Sequence, residues 1–229
     1  MFAPERTMQQ SLESFMYRVN AWMASGLALT GLTGYAVFQS ETLFRTLVMS
    51  RFAFLGLIIA QLAVVIYLAG WITRMSFASA ALAFLTYSVL SGITLSAIFA
   101  VYELGSIGLV FGITMAMFSI MAMYGYSTKA DLTSLGSLLL MALIGLIIAS
   151  VVNMFMHSGT LNYIISFVGV LIFVGLTAYD VQKIKTIGQG LIYQGEDVNK
   201  VALLGALTLY LDFVNLFLYL LQLFGKRRR

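Results

Sequence analysis

Cysteine is absent from the 229 residues, and histidine occurs once, as His157. The first absence excludes a disulfide framework and any thiolate metal site, and one histidine alone cannot assemble a zinc cluster. Charge is nearly as scarce: 10% of the residues are Asp, Glu, Lys or Arg, whereas 61% are hydrophobic and the mean hydropathy is +0.96. A water-soluble fold of that composition has too little polar surface to cover its apolar surface. Catalytic constellations are missing as well. There is no cysteine nucleophile, no histidine base beside a serine, and no glycine-rich phosphate loop following a strand, so neither enzyme activity nor a resident cofactor is expected. The net charge of +4 does not indicate nucleic acid, because the basic residues stand at the ends of apolar runs rather than among aromatics on one face.

What the chain does contain is a succession of apolar runs. A hydrocarbon core of about 30 Å needs roughly 20 residues of helix at 1.5 Å per residue. Spans of that kind fall at 20–39, 52–73, 77–101, 105–126, 135–156, 161–183 and 200–224. They predict an all-α polytopic membrane protein forming a single transmembrane domain over residues 1–229, with a short polar N-terminus (1–19) and a basic tail (225–229). The N-terminal segment is mixed in charge and the run after it is too long for a signal peptide, so the first span is expected to be a retained anchor. Gly188, Gly190 and Gly195 predict a break after the sixth span, making residues 182–200 the main aqueous loop.

Small residues recur at helical spacing in Gly26, Thr30 and Gly34, in Ser88, Gly92 and Ser96, and in Gly108, Gly112 and Ala116. All three stripes are expected to be packing seams. Orientation is less one-sided. Seven spans put Arg6, Arg18, Arg74, Lys129, Lys183, Lys185 and Lys200 on one side, with Arg45, Arg51 and the tail residues Lys226, Arg227, Arg228 and Arg229 on the other. A re-entrant last segment would move the tail to the first side and make the count strongly asymmetric.

A few charges stand where lipid is expected. An acidic group at the bilayer centre costs about 2.5–3.5 kcal/mol on insertion scales and needs a partner, a proton or a polar pathway. Asp212 lies near the middle of the last span, with Asn215 one turn on along nearly the same face. It reads either as a carboxyl hydrogen-bonded between helices or as an ion or proton site. Asp180, near the end of the sixth span, is open to a second reading as an interfacial pair with Lys183. Arg74 closes the second span, where it can snorkel to the headgroups or turn inward to a carboxylate. Glu103 reads as a solvated loop charge.

The run Gly175-Leu176-Thr177-Ala178-Tyr179-Asp180-Val181-Gln182-Lys183-Ile184, and the later Leu207-Thr208-Leu209-Tyr210-Leu211-Asp212-Phe213-Val214-Asn215-Leu216-Phe217-Leu218, resemble the Bax inhibitor-1 (transmembrane Bax inhibitor motif) family in a bacterial-type member. Leu90-Ser91-Gly92-Ile93-Thr94-Leu95 and Thr128-Lys129-Ala130-Asp131-Leu132 extend the similarity over residues 70–224. The resemblance implies two three-helix layers around a central last helix. It also implies a pair of interior aspartates, matched by Asp180 and Asp212, acting as pH sensor and transient calcium ligands in a calcium leak. Arg74 matches an arginine that latches the closed state, and Asn215 is a candidate pathway residue. The expected partners are the lipid bilayer, protons and permeant calcium, and the expected location is the bacterial plasma (inner) membrane. A regulatory membrane protein that binds another membrane complex, such as a quality-control protease, is the competing reading. One geometric tension accompanies the aspartates: these span limits leave roughly 12 Å between their depths at 1.5 Å per residue.

Overall fold

The structure is a computed structural model that describes residues 3–194 and 198–228. Nine α-helices are found there: α1 (Ala3–Gln39), α2 (Glu41–Leu43), α3 (Arg51–Trp71), α4 (Phe77–Leu95), α5 (Ala97–Val101), α6 (Leu104–Ser127), α7 (Thr133–Met156), α8 (Gly159–Gln194) and α9 (Asn199–Phe224). A π-helical turn (Phe44–Met49) and a 3-10 turn (Ile72–Arg74) complete the order. Seven helices, with α4 and α5 together making one span, are long and apolar enough to cross a membrane. The fold is all-α and polytopic, as the apolar runs predict.

Serines start several of these helices. The Oγ of Ser76 accepts from Ser79 N at 3.1 Å to cap α4, and Ser158 Oγ accepts from Leu161 N at 3.3 Å in the first turn of α8. At the other end of α7 the chain turns through His157, whose φ of 53° is left-handed and whose N–H bonds Asn153 O at 2.8 Å. Asn153 Oδ1 then accepts from Ser158 N at 3.1 Å, so one asparagine ties the end of α7 to the start of α8.

Packing divides the chain into two compact units. Unit 1 comprises Met1–Tyr102, Ile187–Tyr210 and Arg228–Arg229, and unit 2 comprises Glu103–Thr186 and Leu211–Arg227. Unit 1 thus holds the spans α1, α3 and α4–α5, and unit 2 holds α6, α7 and most of α8. The last helix gives its first half to one unit and its second half to the other. It is also the most enclosed span: 61% of its apolar stretch is buried, against 6% for α3.

In unit 1, α1 packs along α4 through the first two small-residue stripes. Added Cβ atoms would lie 2.9 Å from Gly92 O at Gly34, and 2.6 Å from Thr30 O at Gly92, so the backbones touch there. Tyr210 is fully buried, its ring against Phe84 and Tyr87 and its hydroxyl 2.8 Å from Thr30 Oγ1. The third stripe behaves differently. Nothing lies within 4 Å of a Cβ at Gly108 or Gly112, so that face of α6 looks outward instead of forming a seam.

Other expectations are corrected too. The segment read as a polar N-terminus is already helical, and its residues Leu12, Phe15, Met16 and Val19 are buried. The sixth helix does not break near residue 183 but continues to Gln194, passing through Gly188 and Gly190. Gly188 serves packing, since a Cβ there would collide with the ring of Phe15. Gly195 lies outside the described residues. The last helix is continuous from Asn199 to Phe224, which removes the re-entrant alternative. Glu103 is not merely solvated: its carboxylate meets Lys226 Nζ at 3.0 Å and its N–H bonds Lys226 O at 2.9 Å, folding the start of the tail onto the start of α6.

The α1–α4 contact makes a clear prediction. Gly92→Val forces two backbones apart and should cost about 1–3 kcal/mol, the range for overpacked cores, whereas Gly112→Ala should leave stability unchanged or slightly raised. Thermal unfolding of the two variants in detergent checks both.

Candidate functional site

The site is built on the second half of α8. Around residues 175–182 this helix is pinned from two sides within unit 2. Gly125 of α6 lets the backbone come against Ala178 O, and Gly136 of α7 accepts the ring of Tyr179. Gln182 then locks the α6–α7 connection to the same helix, its Oε1 accepting from Leu132 N at 2.9 Å and its Nε2 donating to Ala130 O at 2.8 Å. In that connection Asp131 Oδ1 accepts from Thr133 N at 2.9 Å, and the bonds from the Thr133 side chain and backbone hold the Asp131 carboxyl below the usual carboxylate range.

The second half of α9 is fixed by aromatic rings. Phe213 meets Phe111 at 5.3 Å and Phe118 at 5.5 Å between centroids, and Phe217 meets Phe111 at 6.0 Å. Further along, Tyr219 stacks on Phe173 at 5.9 Å over the space left by Gly169.

With both helices held, the carboxyls of Asp180 and Asp212 face each other within hydrogen-bonding reach. Asp212 is 5% exposed, Asp180 is half-buried, and Oδ2 of Asp212 is buried with no hydrogen-bond partner among the described residues. The depth tension disappears with the longer α8. Asp180 stands 14 residues before the end of α8 and Asp212 stands 13 residues after the start of α9, so both lie about 20 Å from the same helix ends. No salt bridge joins Lys183 to Asp180 among the described residues, although its charge acts on that carboxyl; its Nζ lies over the Tyr179 ring, 5.6 Å from the centroid.

Asn215 is one turn beyond Asp212, its Nδ2 donating to Leu211 O at 2.8 Å. It lines a cavity of about 230 Å³ together with Ser150, Asn153, Asn162, Ile165, Leu218, Tyr219 and Gln222. Arg74 belongs to unit 1, where it ends the 3-10 turn with its side chain exposed. The described residues contain no group of three or more His, Cys, Asp or Glu side chains suited to a metal ion. Two carboxyls can serve only as part of a weak, hydrated cation site.

The sequence reading passed over several polar residues now visible. Gln61, in the middle of α3, donates to Ser91 Oγ at 2.6 Å and accepts from Thr94 Oγ1 at 3.2 Å. Asn153, Asn162 and Gln222 line the cavity in unit 2. Gln61 and Gln222 are amides flanked by apolar residues, the same signal that singled out Asp212, whereas Asn153 and Asn162 stand close to the polar turn between α7 and α8.

Seven helices long and apolar enough to cross a membrane define an integral membrane protein. The family model described as inhibitor of apoptosis-promoting Bax1 matches residues 12–229, and the chain belongs to that family. It is 45% identical to the inner membrane protein YbhL of Escherichia coli K12 over 218 residues, 95% of this chain and 93% of the relative. It is 44% identical to an uncharacterised protein of Borreliella burgdorferi, covering 93% and 92% of the two chains, and 38% identical to the uncharacterised protein RP147 of Rickettsia prowazekii, covering 97% and 94%.

Because the two carboxyls share one contact, their removal is expected to be non-additive. In a double-mutant cycle of Asp180→Asn and Asp212→Asn, unfolding in detergent should give a coupling of about 0.5–3 kcal/mol, the range for interacting neighbours; strictly additive effects would show that the carboxyls do not interact.

Proposed function

We propose that the chain is a pH-sensitive calcium leak channel of the bacterial plasma membrane, gated by proton exchange at Asp180 and Asp212. The observation that carries this reading is the apposition of two carboxyls inside the helix bundle, one of them with an oxygen that no group among the described residues satisfies. Two carboxylates in contact in a low dielectric repel strongly, so the resting pair holds one proton between them. They titrate as a unit. Loss of the proton leaves like charges that press α8 and α9 apart or draw in a cation. Calcium, which takes oxygen ligands, would be held only weakly by two carboxylates with water and amide oxygens, as a permeant ion must be.

Family membership supports the same reading, and the inner-membrane name of the Escherichia coli relative supports the location. A latching role for Arg74 rests on the resemblance alone. Its exposed position makes it removable without opening a buried cavity.

Calcium flux into liposomes carrying the purified protein, scanned from acid to mildly alkaline pH, tests the proposal. Wild-type flux should rise with pH, either Asp180→Asn or Asp212→Asn should abolish the dependence, and Arg74→Ala should raise the flux at acid pH. Absent flux, or aspartate variants that behave as wild type, would transfer the role to the regulatory, partner-binding reading.

A further inference from the structure

The cavity of unit 2 is lined by polar side chains of three helices: Ser150 and Asn153 on α7, Asn162 on α8, and Asn215, Tyr219 and Gln222 on α9. None of them carries a formal charge. On α9, Asp212, Asn215, Tyr219 and Gln222 follow at intervals of three, four and three residues, which keeps them within one stripe of the helix. That stripe runs from the buried carboxyl to the end of the helix at Phe224. We propose that this cavity is a vestibule that takes a hydrated cation through neutral amide and hydroxyl oxygens and brings it within one helical turn of Asp212. The proposal rests on the leak reading and adds to it an entry route and the means by which the ion is held there.

Three observations favour a cation over a neutral solute. First, the volume of about 230 Å³ exceeds any bare ion but matches an ion with several waters, each occupying about 30 Å³. Secondly, the wall offers oxygens at fixed positions. Asn215 commits its Nδ2 to Leu211 O and leaves Oδ1 to accept, while Asn153 Oδ1 and Gln222 Oε1 are each oriented by one donor, Ser158 N and Ser166 Oγ, and retain a second lone pair. Thirdly, the stripe of α9 that lines the cavity also carries Asp212, one turn from Asn215, so the neutral oxygens adjoin an acidic group on the same helix. Neutral oxygens hold a cation loosely, which suits a waiting position before a pair of carboxyls.

The absence of cysteine makes the test direct. Asn162→Cys, Asn215→Cys and Gln222→Cys are introduced singly into the full chain in membrane vesicles, with Arg227→Cys marking the face that carries the tail and Lys129→Cys marking the opposite one. A small membrane-impermeant cationic thiol reagent should label the three cavity positions only from the side that labels Arg227→Cys, and Leu220→Cys, on the buried side of α9, should stay unlabelled. Calcium should slow labelling at the cavity positions by about half near millimolar concentration, the range of weak oxygen sites, without slowing it at Arg227→Cys. Size-exclusion profiles identify any variant that fails to fold, and the remaining cavity positions then decide. No labelling at folded cavity variants, or labelling that calcium leaves unchanged, would overturn the proposal, the latter reducing the cavity to a water pocket. Labelling does not depend on the carboxyls, so the vestibule stands in Asp212→Asn even if the gating by the pair fails.

Discussion

Two carboxyls facing each other between membrane helices impose a constraint on everything around them. Neither can be moved apart from the other without leaving an acid in an apolar interior, where an unpaired group costs several kcal/mol. The helices carrying them must therefore agree in depth, in rotation and in separation. Agreement in depth comes from the length of α8, which runs 36 residues and brings Asp180 level with Asp212. Rotation and separation come from Gly125 and Gly136, which let α6 and α7 grip residues 178 and 179, and from the phenylalanine cluster that seats α9.

Lipid as solvent explains the manner of this packing. Burying apolar side chains against one another gains little when the alternative is hydrocarbon, so close backbone approach and polar contacts between helices do the work that the hydrophobic effect does in water. The α1–α4 seam of Gly34 and Gly92, the bonds of Thr30 to Tyr210 and Ser88 O, and the Gln61–Ser91–Thr94 cluster are contacts of that type in unit 1. Gln182 and the Ser166–Gln222 bond play the same part in unit 2. Apolar residues such as Phe52, Ile59 and Ile66 on α3 are left exposed, as a surface bathed in acyl chains permits.

Much of this was legible from the residues. Runs of about 20 apolar residues located all seven spans, because membrane thickness leaves few alternatives, and one carboxyl in the middle of an apolar run identified Asp212. Helix ends were harder. Gly188 and Gly190 read as breakers, but composition cannot distinguish a glycine that ends a helix from one that admits Phe15 to its flank. The same ambiguity affected Gly108 and Gly112, whose spacing matches that of Gly26 and Gly34 although nothing packs on them. Which face of a helix meets a neighbour is a tertiary property, absent from the stripe itself. The polar cavity was hidden for a related reason: Asn153, Asn162 and Gln222 stand on three helices, and only folding assembles them.

The central claim is that Asp180 and Asp212 hold one proton between them. Infrared difference spectra of the protein in lipid, recorded as pH is raised, measure this directly through the carbonyl stretch of a protonated carboxyl. A single such band from the membrane interior, lost on raising the pH and missing from both Asp180→Asn and Asp212→Asn, is the predicted result. A band that survives in either variant would mean that one carboxyl carries its own proton, and the shared-proton account would be wrong.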